Sequence, residues 1–362
     1  MIPIYKPYLP KKSLKYAHEA LDSTWLSSKG KFINLATEKL KEILQVKNLL
    51  LVNNGTSATH LSVMALKYKI PNLKRVYVPN NVYVAAWNSL LYENIEPYPV
   101  DTSEKTWNFD LKLLPKRIGE EEAIMVVHNL GNIVDIPELK DIYGDKIIED
   151  NCEGFMGKYG KKYSGTESLA SSISFFGNKI ITSGEGGAVI VKNSDIYDFL
   201  VSSNSQGMKK NARYVHDKLG YNYRMTNIQA AILLGQIEVL STIVEKKQNL
   251  FNFYRENLLK IDNVELQEPA PNTTHSNWMM GVKIKNKTNF YETRDHMLKN
   301  NIDIRPMFYP MSSHKHLKKY ARQKEEKGAQ RLSEQCFMIP SYPDLTKGEA
   351  KHIVKTIGTY CG

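Results

Sequence analysis

The sequence has few cysteines and no long apolar run. Its three cysteines, Cys152, Cys336 and Cys361, are widely spaced and form no CxxC pair, so neither a disulfide framework nor a zinc site is predicted. No apolar stretch approaches the roughly 18 residues of a membrane span. The first residues, MIPIYKPYLPKK, also lack the apolar core of a signal peptide. We therefore expect a cytoplasmic protein in a reducing compartment, without a membrane partner.

The chain has little negative charge relative to positive charge. It carries 49 Lys and Arg against 38 Asp and Glu, a formal net charge of +11. Such an excess can attract nucleic acid or small anionic substrates. The basic residues are spread in short clusters, however, and no basic helix or aromatic-and-basic RNA-binding signature occurs. We predict a solvated lysine-rich surface and no nucleic-acid partner.

Seven apolar runs of strand length recur in the first two thirds of the chain, mostly with helical intervals between the early ones. They lie at 49–52, 76–78, 96–100, 123–128, 146–149, 172–176 and 188–191. This alternation predicts an α/β lobe with a largely parallel sheet covered by helices. In such sheets ligands bind outside the carboxyl ends of the strands, so the residues directly after each run are the candidate site residues.

A length of 362 residues predicts two closely associated lobes. We place a large domain at 1–240, which includes an N-terminal entry segment, and a smaller C-terminal α+β domain at 241–362. Residues 226–261 lack proline and show helical periodicity, with Gly235 as the weak point. We predict that this stretch is one long helix joining the two domains.

The first run is followed by NNGTSATH, which resembles a phosphate cradle at a helix N-terminus. Gly55 permits a tight turn, and Thr56 and Ser57 offer hydroxyl groups and free backbone N–H groups. These groups and the helix dipole favour an anion. The same residues could instead serve only as a helix cap.

Three other strand ends carry candidate side chains. Tyr83 follows the second run, where it could stack on a flat ring or pack on the sheet. His128 ends the fourth run, as a pocket-wall acid or base or as a hydrogen-bonded structural imidazole. Asp150 ends the fifth run, where burial requires a cationic partner, such as a protonated heterocyclic nitrogen.

A lysine in SFFGNKIITSGEGG lies between two apolar runs. Lys179 follows Ser174 by five residues, and a buried ammonium is costly unless it is neutralised or bonded. An anion site, a strand-end carboxylate, a stacking ring and a lysine are together the parts that pyridoxal 5'-phosphate requires. The sequence therefore predicts a site for this cofactor.

Seven segments, GTSA, VPNNVYVAA, IIEDNCEG, SFFGNK, TSGEGG, NYRMTNIQAA and RPMFYP, resemble those of the DegT/DnrJ/EryC1/StrS sugar aminotransferases. This family belongs to the fold-type I pyridoxal phosphate enzymes, which are aspartate aminotransferase-like. The resemblance implies a large α/β/α domain with a mostly parallel seven-stranded sheet and a smaller C-terminal α+β domain. It also implies a homodimer with shared active sites.

The resemblance assigns roles position by position. Lys179 would form the Schiff base with the cofactor and move the proton, and Asp150 would hold the pyridine nitrogen. Tyr83 would cover the ring. The residues that would bind the phosphate are Gly55, Thr56, Ser57 and Ser174, together with Asn222 from the neighbouring subunit.

Two positions depart from the family pattern. Glu153 stands where the family usually has glutamine or histidine, next to the phenolic oxygen of the cofactor. Two anions there would repel each other unless one is protonated. Val82 replaces a common threonine. Either change could alter cofactor electronics or substrate preference.

The reaction is also implied by resemblance. Related sugar 3-dehydratases have histidine at the position of Lys179, so a lysine favours transamination. The segment IDIRPMFYPMSSH resembles that of perosamine and viosamine synthases, which aminate C4 of nucleotide-linked 4-keto-6-deoxyhexoses. Arg305, Tyr309 and the pocket-wall candidate His128 would then contact the nucleotide sugar, although Arg305 could instead be an exposed residue of a proline-bounded loop.

We therefore expect L-glutamate to donate its amino group and to leave as 2-oxoglutarate, while a keto sugar nucleotide accepts the group for glycan biosynthesis. Two alternatives stay open. The same fold could aminate C3 of a sugar nucleotide or a cyclitol. The chain could also be a basic binding protein that keeps the scaffold without catalysis.

Overall fold

The computed structural model describes residues 1–322 and 326–362, and the apolar runs of the sequence are strands within it. The strands are β1 Asn48–Val52, β2 Arg75–Pro79, β3 Glu96–Val100, β4 Glu122–Val127, β5 Ile147–Asp150, β6 Lys158–Tyr159, β7 Lys162–Tyr163, β8 Ala170–Ser174, β9 Gly187–Val191, β10 Val264–Glu265, β11 Thr273–Thr274, β12 Met280–Ile284, β13 Arg305–Pro306 and β14 Cys336–Ile339.

Two helices precede the first strand, and the other helices lie between the strands or after the last one. They are α1 Lys11–Asp22, α2 Lys31–Leu44, α3 Gly55–Lys69, α4 Ala85–Tyr92, α5 Ile136–Tyr143, α6 Ser194–Asn204, α7 Asn227–Ile237, α8 Leu240–Leu258, α9 Phe290–Lys299, α10 Lys327–Gln335 and α11 Lys347–Cys361.

The seven predicted strands form one sheet in the order β1-β9-β8-β5-β4-β2-β3. The pairs from β8 through β5, β4 and β2 to β3 are parallel, and β9 is antiparallel to both of its neighbours. The prediction of a mostly parallel seven-stranded sheet is confirmed. Because parallel strands end at the same edge, the residues after β1, β2, β4, β5 and β8 lie along one edge of the sheet.

Helices cover both faces of this sheet, since alternate residues of each strand point to opposite sides. In β9, Ala188 and Ile190 pack with residues of α2 and α7. Val189 and Val191 pack on the other side, with residues of α3, α4 and α6. This three-layer arrangement buries the strands on both faces, which explains their continuous apolar character.

The C-terminal part of the chain builds a second sheet, antiparallel and four-stranded, in the order β10-β12-β14-β13. It packs with α8, α9 and α11 around Phe251, Val282, Met297 and Ile353. Strand β14 is shared between two cores. Phe337 and Ile339 enter this smaller core, while Cys336 and Met338 enter the core that also contains α2 and α7.

The predicted long helix at 226–261 is two helices, α7 and α8, which meet at an angle of 62°. Gly235 is not the break. The chain leaves the helix at Glu238 and Val239, and Val239 has φ −117° and ψ 14°. Glu238 is bound there by Lys12 Nζ at 2.7 Å and by the Tyr16 hydroxyl at 2.9 Å, both on α1. Tertiary contacts with α1 thus coincide with the bend, and local periodicity does not report them.

Within residues 1–322 and 326–362, no single helix is long and apolar enough to cross a membrane. Helices α7 and α8 reach the required length and composition only when they are joined across their bend.

Gly235 allows α1 and α7 to pack closely. A Cβ atom there would lie 2.3 Å from the Ser13 nitrogen and 2.5 Å from the Ser13 Cα. The Ser13 hydroxyl donates a hydrogen bond to the Ile232 carbonyl at 2.8 Å. The glycine that weakens the helix pattern in sequence is therefore required by the packing of two helices.

We expect Gly235→Ala to lower the free energy of unfolding by about 1–3 kcal/mol, because the added methyl group must separate two backbones. Urea unfolding of the purified variant measures this loss. Gly358→Ala in α11 is the matched control, since its Cβ would lie 3.7 Å from Ile261 Cδ1, an ordinary contact. That control should gain up to about 1 kcal/mol from helix propensity. Equal effects at the two positions would contradict this account.

Candidate active site

Lys179 lies in the loop after β8 with its amine beside an aromatic ring. Its Nζ is 3.8 Å from the centre of the Trp278 ring and 3.9 Å from Glu153 Oε1. Its carbonyl oxygen accepts a hydrogen bond from the Tyr5 hydroxyl at 2.9 Å. The amine is thus mostly covered, and a ring face and a carboxyl group stand in part for the water it has lost.

The first turn of α3 faces the same edge of the sheet. The side chain of Asn54 caps this helix, since its Oδ1 accepts from the Ser57 nitrogen at 2.8 Å. Neither the Thr56 nor the Ser57 hydroxyl has a hydrogen-bond partner in the described part of the chain. Because Asn54 performs the capping, both hydroxyls stay available. This favours the anion site over the alternative of a helix cap only.

Ser174, at the end of β8, lies against this turn. A Cβ atom at Gly55 would lie 2.7 Å from Ser174 Cβ and 2.8 Å from Ser174 Oγ. The glycine therefore lets the strand end and the helix N-terminus approach each other closely. Ser174 Oγ accepts from the Phe176 nitrogen at 3.3 Å. The result is a cradle of backbone N–H groups and hydroxyls whose dimensions a larger residue at position 55 would destroy.

Asp150, at the end of β5, has one carboxylate oxygen bound and the other free. Oδ1 accepts from the Cys152 nitrogen at 3.1 Å and from the Ser172 hydroxyl at 3.4 Å. Thr59 supports Ser172 with a hydrogen bond at 3.0 Å. For Oδ2, no hydrogen bond occurs among residues 1–322 and 326–362. Burial raises the pKa of the Cys152 thiol well above its ordinary value, so this residue adds no second negative charge.

Glu153 is buried between the backbone and Lys179. Its Oε2 accepts from the Leu130 nitrogen at 2.8 Å. Burial raises the pKa of Glu153 to about 7, although Lys179 and the Leu130 N–H group act in the opposite direction. Near neutral pH the carboxyl group is therefore protonated in a large fraction of molecules. Protonation removes the repulsion that an anion at this position would exert on another anion.

The rim of the site is aromatic. Tyr83 lies just before α4 and is 62% exposed, so it does not pack on the sheet. Its ring centre is 6.2 Å from that of Phe308. Phe308 belongs to the segment that contains Arg305 and Tyr309, both of which are exposed. The structure thus brings this C-terminal segment to the rim where Tyr83 stands.

Arg305 is bound within its own segment. It begins β13, and its guanidinium group contacts the carboxylate of Asp303 and the carbonyl oxygen of Ile304. Exposed ion pairs of this kind contribute only about 0–1 kcal/mol, so the guanidinium group can exchange Asp303 for another anion at small cost.

His128 lies inside the fold. It is fully buried, its Nε2 is 2.8 Å from Glu149 Oε2, and its Nδ1 accepts from the Val134 nitrogen at 3.1 Å. Both ring nitrogens are therefore engaged. The prediction that His128 lines the substrate pocket does not match this placement, because Glu149 points to the side of the sheet opposite Asp150 and holds the imidazole there. Val82 is also buried, among apolar residues.

Asn222 lies on the surface of the chain. Its Oδ1 accepts from Arg224 Nε at 3.0 Å, and its side chain bonds no cradle residue among those described. The segment before it exposes Tyr214 and Leu219, the latter to 82%. Contiguous apolar patches with polar residues at their rim are typical of surfaces that pack on another chain.

Two residues of the site were missed in the sequence. Ser172 could have been found, because residues two apart in a strand share a face and Ser174 was already a candidate. Trp278 gives no local signal. It precedes β12, far along the chain, and only the folded structure brings its ring to Lys179, with its Nε1 donating to the Asn178 carbonyl at 2.8 Å.

The arrangement fits the pyridoxal phosphate that the resemblance implies. The cradle offers an anion site whose dimensions depend on Gly55. Asp150 keeps one oxygen for a protonated ring nitrogen, Lys179 offers an amine, and Tyr83 offers an exposed ring.

Comparison with known proteins gives consistent results. A profile of the DegT/DnrJ/EryC1/StrS aminotransferase family matches residues 7–358. GDP-perosamine synthase of Escherichia coli O157:H7 is 34% identical, over 99% of this chain and 98% of that protein. GDP-perosamine synthase of Vibrio cholerae is 33% identical, over 99% of each.

Among solved structures, E. coli GDP-4-keto-6-deoxy-D-mannose-3-dehydratase with bound hydrated PLP is similar, with a TM-score of 0.91. The two chains are 19% identical, and the match covers 98% of this chain and 99% of that one. At this identity the likeness concerns the fold alone, and it confirms the fold that the resemblance implies.

The raised pKa of Glu153 predicts a pH-dependent stability. Between the ordinary carboxyl value of 4.5 and about 7, the folded protein holds a proton that the unfolded chain has released. The contribution of Glu153 to stability is therefore present below 4.5 and is lost as the pH rises through about 7. We expect Glu153→Gln to gain stability over the unmodified protein as the pH rises, up to about 3 kcal/mol.

Urea unfolding of both proteins without cofactor, from about pH 5 to about pH 8, measures this difference. Glu38→Gln, at a well-exposed position of α2, controls for the loss of a carboxyl group. A stability difference between Glu153→Gln and the unmodified protein that is constant over this range would contradict the prediction.

Proposed function

Because the chain belongs to the DegT/DnrJ/EryC1/StrS aminotransferase family, we propose that it transfers the amino group of L-glutamate to C4 of GDP-4-keto-6-deoxymannose. The products are GDP-perosamine and 2-oxoglutarate. The enzyme is an aminotransferase that depends on pyridoxal phosphate. Full-length similarity to two GDP-perosamine synthases supports the choice of GDP and of C4.

The observation that carries this proposal is the position of the Lys179 amine. It lies at the carboxyl edge of the sheet, covered by Trp278 and 3.9 Å from Glu153. The side chain keeps 14% of its surface exposed, and the ring shields the amine from bulk water on one side. Relatives that act as 3-dehydratases carry histidine at this position by the resemblance, so the lysine supports transamination.

Pyridoxal phosphate, when bound, supplies an electron sink for the carbon that loses a proton. The chain supplies the surroundings. The N-terminus of α3 and the hydroxyls of Ser57 and Ser174 would hold the phosphate. The free oxygen of Asp150 would hold the ring nitrogen in its protonated state, since its other oxygen is already bound by Cys152 and Ser172.

Lys179 would carry out the proton transfer. Its amine can act as a general base that accepts the proton from the α-carbon of the amino-acid donor, and then as a general acid that gives the proton up from the same position. Trp278 limits the access of water to this amine, because its ring lies directly against Nζ. Glu153 would lie beside the phenolic oxygen, where its protonated form can donate a hydrogen bond. Tyr83 would cover the exposed face of the ring.

The nucleotide sugar would enter past the aromatic rim. Tyr83 and Phe308 meet there, and Arg305 and Tyr309 follow on the same segment. The net charge of +11 favours the approach of a diphosphate. Arg305, which is exposed and pairs with the partly buried Asp303, would contact the anionic part of the substrate, in its own subunit or across the dimer.

We also propose that the enzyme is a cytoplasmic homodimer. The exposed position of Asn222 supports a role in the neighbouring subunit's phosphate site, as does the exposure of Tyr214 and Leu219 before it. The three cysteines are free thiols, which is typical of a reducing compartment.

The substrate proposal is tested with purified protein, pyridoxal phosphate and L-glutamate. We expect GDP-4-keto-6-deoxymannose to be converted to an amino sugar nucleotide, detected by chromatography and mass spectrometry. Lys179→Ala should lower the rate by about 10³-fold or more, because the proton-transfer group is lost, and should lose the visible absorption of the bound cofactor.

The same assay includes 4-keto sugars linked to dTDP or UDP, 3-keto sugar nucleotides and a keto cyclitol. Product from the 3-keto compounds or the cyclitol alone would overturn the assignment to C4. A protein that stays colourless with added pyridoxal phosphate and forms no product would support the non-catalytic binding protein instead.

The shared site is tested by subunit exchange between Lys179→Ala and Asn222→Ala chains. In a mixed dimer, one site combines an intact Lys179 with an intact Asn222. Random exchange makes half of the dimers mixed, so we expect about a quarter of the normal activity to return. Each variant alone is the control. No recovery after mass spectrometry has shown mixed dimers would contradict a role of Asn222 across the dimer.

A further inference from the structure

Helix α8 carries a lysine that is completely buried. Lys247 is 0% exposed, and its Nζ donates to the Trp278 carbonyl at 2.7 Å and to the Ser341 carbonyl. The rings of Tyr5 and Phe251 lie 5.5 and 5.4 Å from the same nitrogen. In the part of the chain that the structure describes, no carboxylate pairs with this lysine.

This placement is unfavourable for the fold alone. Burial lowers the pKa of Lys247 well below its ordinary value. Burial, Arg255 and Lys247 together lower the pKa of His275 to about 3. An apolar side chain of similar length would avoid the desolvation of an amine. A buried amine without an anion therefore suggests a role in the site rather than in stability alone.

Two of the groups that touch Lys247 also touch Lys179. Trp278 offers its carbonyl to Lys247 and its ring face to the Lys179 amine, 3.8 Å away. Tyr5 lies with its ring against Lys247 and donates its hydroxyl hydrogen to the Lys179 carbonyl at 2.9 Å. Lys247 thus does not touch the Lys179 amine itself but contacts two residues, Trp278 and Tyr5, that each touch Lys179.

We propose that Lys247 is a positioning residue that fixes Trp278 and Tyr5 around Lys179 and so sets the exposure of the reactive amine. Its hydrogen bond to the Trp278 carbonyl holds the backbone of Trp278 on one side, and its second hydrogen bond, to the Ser341 carbonyl, fixes the lysine. On the other side, Trp278 Nε1 donates to the Asn178 carbonyl. The ring is therefore held at both ends over the amine. The significance of this arrangement for catalysis rests on the proposed role of Lys179.

Lys247 could also act only in the stability of the fold. Trp278 leads into β12 and Ser341 follows β14, so Lys247 also joins the ends of two adjacent strands to α8. A join of this kind would affect stability and leave the surroundings of Lys179 unchanged. The reactivity of the Lys179 amine therefore separates the two roles.

The experiment uses cofactor-free protein, which is treated with a trace of acetic anhydride at neutral pH. Mass spectrometry of the peptide that contains Lys179 gives its acylation rate. We expect Lys247→Met to raise this rate about fivefold, because the amine loses both its cover and a cation–π contact of about 1 kcal/mol. Lys247→Arg, which keeps the donors, should restore most of the protection.

Lys246→Met is the matched control, since the neighbouring lysine is partly exposed and pairs with Asp344. It should leave Lys179 acylation unchanged. A double-mutant cycle then tests the route. Trp278→Leu should raise Lys179 acylation by itself, and Lys247→Met should add little to it. If the two substitutions raise the Lys179 acylation rate additively, Lys247 does not act through Trp278.

If Lys247→Met does not fold, Lys247→Gln replaces it, since its shorter amide end weakens the two hydrogen bonds without placing an apolar end against them. Unchanged acylation of Lys179 in folded Lys247→Met or Lys247→Gln would overturn the proposal, whatever the stability of the variant. Because the measurement needs neither cofactor nor substrate, it is independent of the proposed function, and failure of the aminotransferase assay would leave its result intact.

Discussion

The site depends on how an amine, a carboxylate and a second carboxyl group share a buried space without strong repulsion. Among the residues that the structure describes, Cys152 and Ser172 both donate to the same oxygen of Asp150, and the other oxygen accepts no hydrogen bond. Burial raises the pKa of Glu153 to about 7, so its charge depends on the pH near neutrality. Lys179 lies against the Trp278 ring, which tolerates an ammonium without adding a formal charge. The balance leaves Asp150 as the anion that can meet a protonated ring nitrogen.

Glu153 shows how a departure from a family pattern can be accommodated. The resemblance indicates glutamine or histidine at this position, and both can donate a hydrogen bond while neutral. A carboxyl group can do so only when it is protonated. The Leu130 N–H group binds one of its oxygens, and burial favours the protonated form. The fold thus makes a glutamic acid resemble an amide near neutral pH, and makes this resemblance depend on pH.

Much of the fold and part of the site could be predicted from the sequence, for one physical reason. Strands buried on both faces are apolar throughout, so their ends are visible, and parallel strands bring these ends to one edge. Gly55 and Asp150 are predicted in this way, whereas the role of Ser174 at the phosphate is implied by the resemblance. The bend after α7 could not be, because it coincides with contacts between Glu238 and α1. His128 satisfied the same pattern, but its pairing with Glu149 depends on which face each side chain takes. Trp278 is about a hundred residues away in sequence from Lys179 and Asn178, the residues it contacts, so no local pattern predicts its role.

Strand β14 has a consequence for motion. Its alternate residues enter two different cores, Phe337 and Ile339 on one side and Cys336 and Met338 on the other. A rotation of the C-terminal sheet as a rigid body would pull residues out of both cores at once, and close-packed interiors resist such displacement. The packing therefore opposes hinge rotation of the C-terminal lobe relative to the large sheet. At the rim, Tyr83 is 62% exposed, whereas Phe308 is partly buried against the core that contains α2 and α7, so the Tyr83 ring is the one that can move over a substrate without unpacking a core.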